Sequence, residues 1–329
     1  MLEATDHVDL ERLVSALRRD YSNIHVRIRE LTHSVRCQHN GTTLRLHFPA
    51  INQGKAAIWE FVNVLLDHIT PFALHRAQIS ELESQFGKIP PAEYRVKCER
   101  LYREAISLFI RAQRATNRNG EAGELILFLL TEWILKAPQL LAKVPLKTNR
   151  DMPVHGTDGI HVGYSSTKKT LCTYWGESKL YSDVNQAITK AVESIEKALK
   201  ADSVQYELTL VRRNIDTVGL SPDAKSVVLS FLDPFDSEDY NNRLNATTCL
   251  IGFDFDGYSR LDVESTEEQF KLLAQKKLTE LAPRISMALN SKGIKNHLME
   301  MFLLPLPSVQ ELRDLFQAKI GWKDDPGSC

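Results

Sequence analysis

Residues 170–181 have the sequence TLCTYWGESKLY, and this stretch decides the fold. Its first half is β-branched, aromatic or apolar, which favours a β-strand. Successive side chains of a strand point to opposite faces, so Glu177 and Lys179 are expected to share one face with Trp175. A carboxylate and an ammonium group would then project side by side from the end of one strand.

A second carboxylate precedes this strand in a glycine-rich turn. Asp158 lies within the segment HGTDGIH, residues 155–161, just before a short predicted strand at 160–164. Taken alone, Asp158 is typical of a turn residue, and Glu177 with Lys179 is typical of a surface ion pair. His155 and His161 flank the aspartate, and lone histidines beside turns are more often hydrogen-bonded parts of the structure.

Helices are predicted on both sides of these strands. Residues 121–136 are apolar nearly all round, which indicates a buried helix, and Glu124 lies in its first turn, where the helix dipole by itself favours an acid. Residues 184–200 form an amphipathic pattern with Asp183 as a capping residue. The middle third of the chain therefore predicts helix, strand, hairpin, strand and helix.

The remaining patterns predict a mixed α/β (α+β) protein with a central mixed sheet flanked by helices. Strands at 24–29 and 43–48 are expected to share one antiparallel sheet, because a turn signal, Asn40-Gly41, lies between them. The other predictions are helices near 8–19, 56–70, 91–113 and 266–281, strands at 227–232 and 247–255, and a final helix starting at Ser308.

A break at Asn117 to Gly120 suggests two parts. Residues 1–116 form an N-terminal α/β extension that is a candidate partner-docking region, and residues 117–329 form the second domain, with its motif core at 122–200.

Composition sets the class of protein. The chain has 329 residues, of which 43% are hydrophobic and 25% charged, as in soluble globular proteins. A net charge of −1 neither supports nor excludes a nucleic-acid partner. The five cysteines are scattered without zinc-ligand spacing, and the most apolar stretch, 125–135, is too short to span a bilayer. A cytoplasmic protein without membrane contact is expected.

The acidic residues and the lysine together match the requirements of phosphodiester hydrolysis. One or two Mg²⁺ or Mn²⁺ ions can activate water and stabilise the transition state, and they prefer hard oxygen ligands. Asp158 and Glu177 are the predicted metal ligands, with the backbone carbonyl of Ser178 and the carboxylate of Glu124 as further candidates. Lys179 is expected to orient the attacking water or to stabilise developing negative charge.

The order of these motifs resembles the PD-(D/E)xK nuclease superfamily over residues 122–200. More narrowly, the chain resembles the nuclease subunits of the Hachiman anti-phage defence system, the HamA family. The resemblance rests on Gly123-Glu124, on HGTDGIH at 155–161, on WGESKLY at 175–181 and on FLLPLPSV at 302–309 followed by Arg313 and Phe316. Residues 1–115 match less recognisably, and no proline precedes Asp158.

The resemblance implies a restriction-endonuclease-like fold and a metal-dependent DNA nuclease that works with a superfamily-2 helicase partner in anti-phage defence. The helicase would restrain and license cleavage. Residue by residue, it implies Asp158 and Glu177 as metal ligands, Lys179 as the catalytic lysine and Glu124 as the helix carboxylate.

Two other functions compete with the nuclease. The segment CLIGFDFDG, residues 249–257, resembles the nucleophile motif of haloacid-dehalogenase-like phosphatases, in which Asp254 and Asp256 would act. Those enzymes need a lysine and another acidic pair after later strands, so an exposed face of an edge strand is the favoured interpretation of the two aspartates. The other alternative is a catalytically silent nuclease fold that binds a helicase as an adaptor, although all four predicted catalytic positions are intact.

Overall fold

The computed structural model describes residues 9–116, 120–147, 157–215, 218–233 and 244–322. A six-stranded mixed sheet forms the centre of the described chain. Its strands are β1 (Ile28–Leu31), β2 (Thr42–Pro49), β5 (Gly159–Ser165), β6 (Thr170–Tyr181), β7 (Leu244–Asp254) and β8 (Leu298–Leu306). Two short strands, β3 (Ile51–Asn52) and β4 (Lys55–Ala56), form a separate antiparallel pair.

The strands follow the spatial order β1-β2-β8-β7-β6-β5. The four inner strands are parallel to one another, whereas β1 and β5 run antiparallel to β2 and β6 at the two edges. The parallel strands β6, β7 and β8 need long connections, which helices provide, and most of their residues are buried on both faces as expected for a covered sheet. The predicted fold class, a mixed sheet flanked by helices, is confirmed.

Helices cover both faces of this sheet. They are α1 (Leu10–Ala16), α2 (Ile58–Asp67), α3 (Ile69–Ala73), α4 (Arg76–Glu83), α5 (Pro91–Thr116), α6 (Glu121–Ile134), α7 (Val144–Lys147), α8 (Val184–Ala198), α9 (Ala201–Asn214), α10 (Pro222–Phe231), α11 (Glu267–Ser291) and α12 (Val309–Lys319). Short 3₁₀ helices lie at Ile24–Val26 and Asp256–Arg260. In the described residues, no helix is long and apolar enough to cross a membrane.

The strand alternation sorts the core between two faces. Leu250 and Phe302 pack with α2, α3, α5, α6 and α12 on one face. Cys249 and Ile251 pack with α8 and α11 on the other. A third cluster, built from α1, α9 and α10, covers β5 and the first half of β6, where it includes Trp175.

Two predicted strands differ from the structure. Residues 227–232 lie in and just after α10, because Ser221 caps a helix with Pro222 in its first turn and the short apolar run is its buried stripe. A short apolar run does not by itself distinguish a strand from a buried helix. The run at 24–29 is divided between a 3₁₀ helix and β1, which starts at Ile28.

The N-terminal strands belong to the same sheet as the motif strands. β1 and β2 form the predicted antiparallel pair, and β2 pairs with β8. A buried carboxylate also joins the two regions, since Glu132 of α6 accepts hydrogen bonds from Arg19 at 2.9 Å and from the Tyr21 hydroxyl at 2.6 Å. The predicted division near residue 117 stays a prediction, and its two parts share one sheet.

Candidate metal centre

Asp158 and Glu177 are brought together by the pairing of β5 with β6. The antiparallel register sets Gly159 opposite Gly176, and the Asp158 amide donates to the Gly176 carbonyl at 2.7 Å. Asp158 therefore lies opposite Glu177, just before β5 begins. Glycine at position 176 avoids crowding, because a Cβ there would lie 3.1 Å from the Gly159 nitrogen and 3.2 Å from Leu127 Cδ2.

Ser178 holds the Asp158 carboxylate in place. Oδ2 of Asp158 accepts the backbone N–H of Ser178 at 2.7 Å and its hydroxyl at 2.8 Å. Ser178 was predicted to contribute only its backbone carbonyl, and the anchoring of Asp158 by its side chain was missed. A serine next to a predicted ligand was the available signal, because a hydroxyl readily donates to a carboxylate.

Glu177 and Lys179 form an ion pair on one face of β6. Their side chains are only 11% and 22% exposed, so this is not the surface pair that the short motif alone favours. Burial, followed by the charge of Asp158, raises the pKa of Glu177 to about 7, although Lys179 and a hydrogen bond from Ser194 oppose the rise. Burial acts to lower the pKa of Lys179, but Glu177 and Asp158 outweigh it and the pKa is raised.

Two neighbours of this pair were not predicted to belong to the site. Cys249 of β7 lies beside Glu177 in the parallel register and is fully buried. Burial, together with the charge of Glu177, raises the pKa of its thiol, so Cys249 is an uncharged wall of the site. Ser194 of α8 donates to the Glu177 carboxylate. A parallel register is set by distant segments, so no local pattern signals Cys249.

Glu124 lies in the first turn of α6, as predicted. The helix approaches β6 through Gly123, where a Cβ would be 3.2 Å from Leu180 Cγ and 3.3 Å from Ser178 Oγ. Ser178 thus adjoins both the start of α6 and Asp158. Among the described residues, no group of three or more His, Cys, Asp or Glu side chains is arranged to hold a metal ion. The convergence of Glu124 on the two other carboxylates stays a prediction.

Of the two histidines that flank Asp158 in sequence, the structure describes only His161. His161 is buried on β5, its Nδ1 lies 2.9 Å from the Ala137 carbonyl, and it packs against Phe128. Burial lowers its pKa to about 4, so it is neutral at physiological pH and supports the structure. His155 lies outside the described residues.

Asp254 and Asp256, the aspartates of the competing phosphatase motif, bind neighbouring parts of the fold at the end of β7. Oδ1 of Asp254 accepts the backbone N–H of Val309 at 2.6 Å, at the start of α12. Asp256 pairs with Arg260 in the following 3₁₀ helix. The expectation of an edge strand was wrong, because β7 lies between β6 and β8 in the interior of the sheet. The aspartates are nevertheless exposed, since both follow the last buried residue of that strand.

The arrangement around Asp158 and Glu177 suits a divalent cation. Two carboxylates provide hard oxygen donors, and the raised pKa of Glu177 reflects burial and repulsion between the two carboxylates, both of which a cation would relieve. Ser178 orients one carboxylate while leaving Oδ1 of Asp158 without a hydrogen bond to any described residue. Lys179 adds a positive charge beside the two carboxylates.

Comparison with known proteins supports the resemblance carried by these motifs. The family model described as HamA matches residues 25–320, which is nearly the whole chain. Comparisons with curated proteins and with solved structures gave no match. The match includes both edge strands of the sheet and the Asp158 and Glu177 carboxylates. The chain therefore belongs to the HamA family and is a component of the Hachiman anti-phage defence system.

Proposed function

We propose that this protein is a metal-dependent deoxyribonuclease that hydrolyses phosphodiester bonds in DNA and acts with a superfamily-2 helicase. The observation that carries the proposal is the triad of buried Glu177 with partly buried Asp158 and Lys179 at the β5–β6 edge of the sheet. Membership of a defence family supports a polyanionic target such as phage DNA. Removing charged groups from water carries a desolvation penalty that a buried ion pair seldom recovers as stability, which favours a catalytic role for this group.

Each residue of the triad has a distinct part in the proposed reaction. Asp158 and Glu177 would hold Mg²⁺ or Mn²⁺, with the Ser178 carbonyl and Glu124 as further ligands. The bound ion supplies Lewis-acid stabilisation and lowers the pKa of water. Ser178 orients Asp158 through its amide and hydroxyl. Lys179, kept protonated by its carboxylate neighbours, would stabilise negative charge on the phosphoryl oxygens.

The test is cleavage of linear DNA by the protein combined with its helicase, with Mg²⁺, with Mn²⁺ and with a chelator. Lys179→Ala and Glu177→Ala should each lower the cleavage rate by about 10²-fold or more, since each removes charge stabilisation or a metal ligand. Lys190→Ala is the matched control, because Lys190 forms an exposed ion pair with Glu193 on α8.

Full cleavage by both variants would refute the assignment of the site. If the wild type binds the helicase but shows no metal-dependent cleavage, the result would instead favour a catalytically silent nuclease fold that serves as an adaptor for the helicase. Cleavage lost in Lys190→Ala as well would indicate a general defect rather than a specific site.

A further inference from the structure

A buried ion pair binds Thr157, the residue that precedes Asp158. Lys143 precedes α7 and Glu207 lies in α9, and each side chain is only 3% exposed. Their charged groups meet at 2.8 Å. Nothing in the proposed reaction uses either residue, so the position of this pair needs another explanation. We call these two residues the Lys143–Glu207 pair.

The pair clamps Thr157, the residue before Asp158. Nζ of Lys143 donates to the Thr157 carbonyl at 2.6 Å and to its hydroxyl at 3.1 Å, and the third proton goes to Glu207. Oε1 of Glu207 accepts the Thr157 amide at 3.3 Å. The amide, the carbonyl and the hydroxyl of one residue are thus all bound by the same ion pair.

This arrangement fixes the backbone on one side of Asp158, while Ser178 fixes its carboxylate on the other. The Thr157 carbonyl and the Asp158 amide belong to one peptide plane, and that amide is bound in turn to Gly176. Rotation of this plane would swing the carboxylate away from Glu177. A buried pair gives little net stability compared with apolar residues of similar size, and it can instead impose one conformation.

We infer that the Lys143–Glu207 pair is a positioning device that holds Asp158 in the orientation needed to bind a divalent cation. This inference rests on the proposed function, in which Asp158 is a metal ligand. Lys143 and Glu207 touch neither the metal nor DNA in it. They act through Thr157, as residues behind a metal ligand commonly do.

The experiment measures Mn²⁺ binding by the full-length protein, using electron paramagnetic resonance to count free Mn²⁺. The double variant Lys143→Met/Glu207→Leu replaces the pair with apolar side chains of similar size, and Glu207→Gln keeps polar partners for Lys143 and Thr157. We expect a 10- to 100-fold weaker affinity for the double variant and about tenfold for Glu207→Gln. Glu207→Gln decides alone if the double variant does not fold.

The matched control is Arg19→Met/Glu132→Leu, which removes a second ion pair, formed at 2.9 Å between partly buried Arg19 and buried Glu132 of α6. It should destabilise the fold without changing Mn²⁺ affinity, and an equal loss of affinity there would overturn the positioning role. Unchanged Mn²⁺ affinity in Glu207→Gln would also overturn it.

Asp158→Asn separates this inference from the function on which it rests. If the wild type binds Mn²⁺ and Asp158→Asn does not, the metal site stands and the Glu207 variant tests the positioning role alone. If Asp158→Asn retains wild-type affinity, the proposed metal site fails, and the inference fails with it.

Discussion

The pKa of Glu177 makes the stability of the metal-free protein depend on pH. The carboxyl group has a pKa near 4.5 when the chain is unfolded and about 7 when it is folded, chiefly because of burial and of Asp158. The folded state therefore binds the proton more tightly. The stabilisation is complete below pH 4.5 and is lost as pH rises through about 7. Glu177→Gln cannot ionise and should lack this loss.

The size of the effect follows from the shift. One pKa unit corresponds to about 1.4 kcal/mol, so the rise from 4.5 to about 7 amounts to roughly 3 kcal/mol. The side chain is only 11% exposed, so solvent screening reduces this value little. The free energy of unfolding of the wild type should fall relative to that of Glu177→Gln by about this amount between pH 4.5 and pH 8.

Urea denaturation at several pH values, with a chelator present, measures this difference. Subtracting the variant from the wild type cancels the titration of other groups, such as His161 and His297, whose lowered pKa values act in the opposite direction. A difference that does not change between pH 4.5 and pH 8 would refute the argument, because Glu177 would then titrate alike in both states. Added Mg²⁺ should reduce the loss in the wild type only, because it binds the ionised carboxylate.

Three further outcomes are expected. Glu132→Ala should lower the free energy of unfolding by about 3–5 kcal/mol, because it leaves Arg19 and the Gln139 amide, which lies 2.7 Å from the carboxylate, without their buried partner. Urea denaturation measures this loss, and an equal loss in Glu193→Ala would contradict the prediction. Asp254→Ala should leave DNA cleavage unchanged, since the carboxylate holds only the start of α12, whereas release of phosphate from small esters that depends on Asp254 would revive the phosphatase. In the metal-free protein, Ser194→Ala should raise the pKa of Glu177 further, because it removes a hydrogen bond to the charged form, and the loss of unfolding free energy should then extend to higher pH. An unchanged pH dependence in urea denaturation would show that Ser194 does not act on Glu177.

The candidate site was only partly predictable from local patterns. Alternation along β6 places Glu177 and Lys179 on one face, and the glycine-rich turn suggests that Asp158 precedes a paired strand. The same patterns favoured a surface ion pair for Glu177 and Lys179, because burial depends on the helices that cover the strand. The nuclease hypothesis therefore needed the joint order of the motifs and the family resemblance.

The neighbours of the site came from parts of the chain that no motif joined to it. Cys249 reaches Glu177 through a parallel register, and Ser194 reaches it from the buried side of α8. Glu207 lies in α9, a helix that the sequence analysis did not predict. Contacts of this kind depend on the packing of segments far apart in sequence, and a single local period does not specify that packing.

The sequence by itself determined the mixed α/β class, several helices together with the caps Asp183 and Ser308, and the strand that carries Glu177 and Lys179. Helix caps and period-two alternation depend on residues a few positions apart, so the chain encodes them locally. Only the tertiary structure decided that β7 is an interior strand and how deeply Glu177 and Lys179 are buried. Burial and register depend on which segments, distant in sequence, pack together. This packing makes Glu177 and Lys179 of β6 a largely buried ion pair next to Asp158.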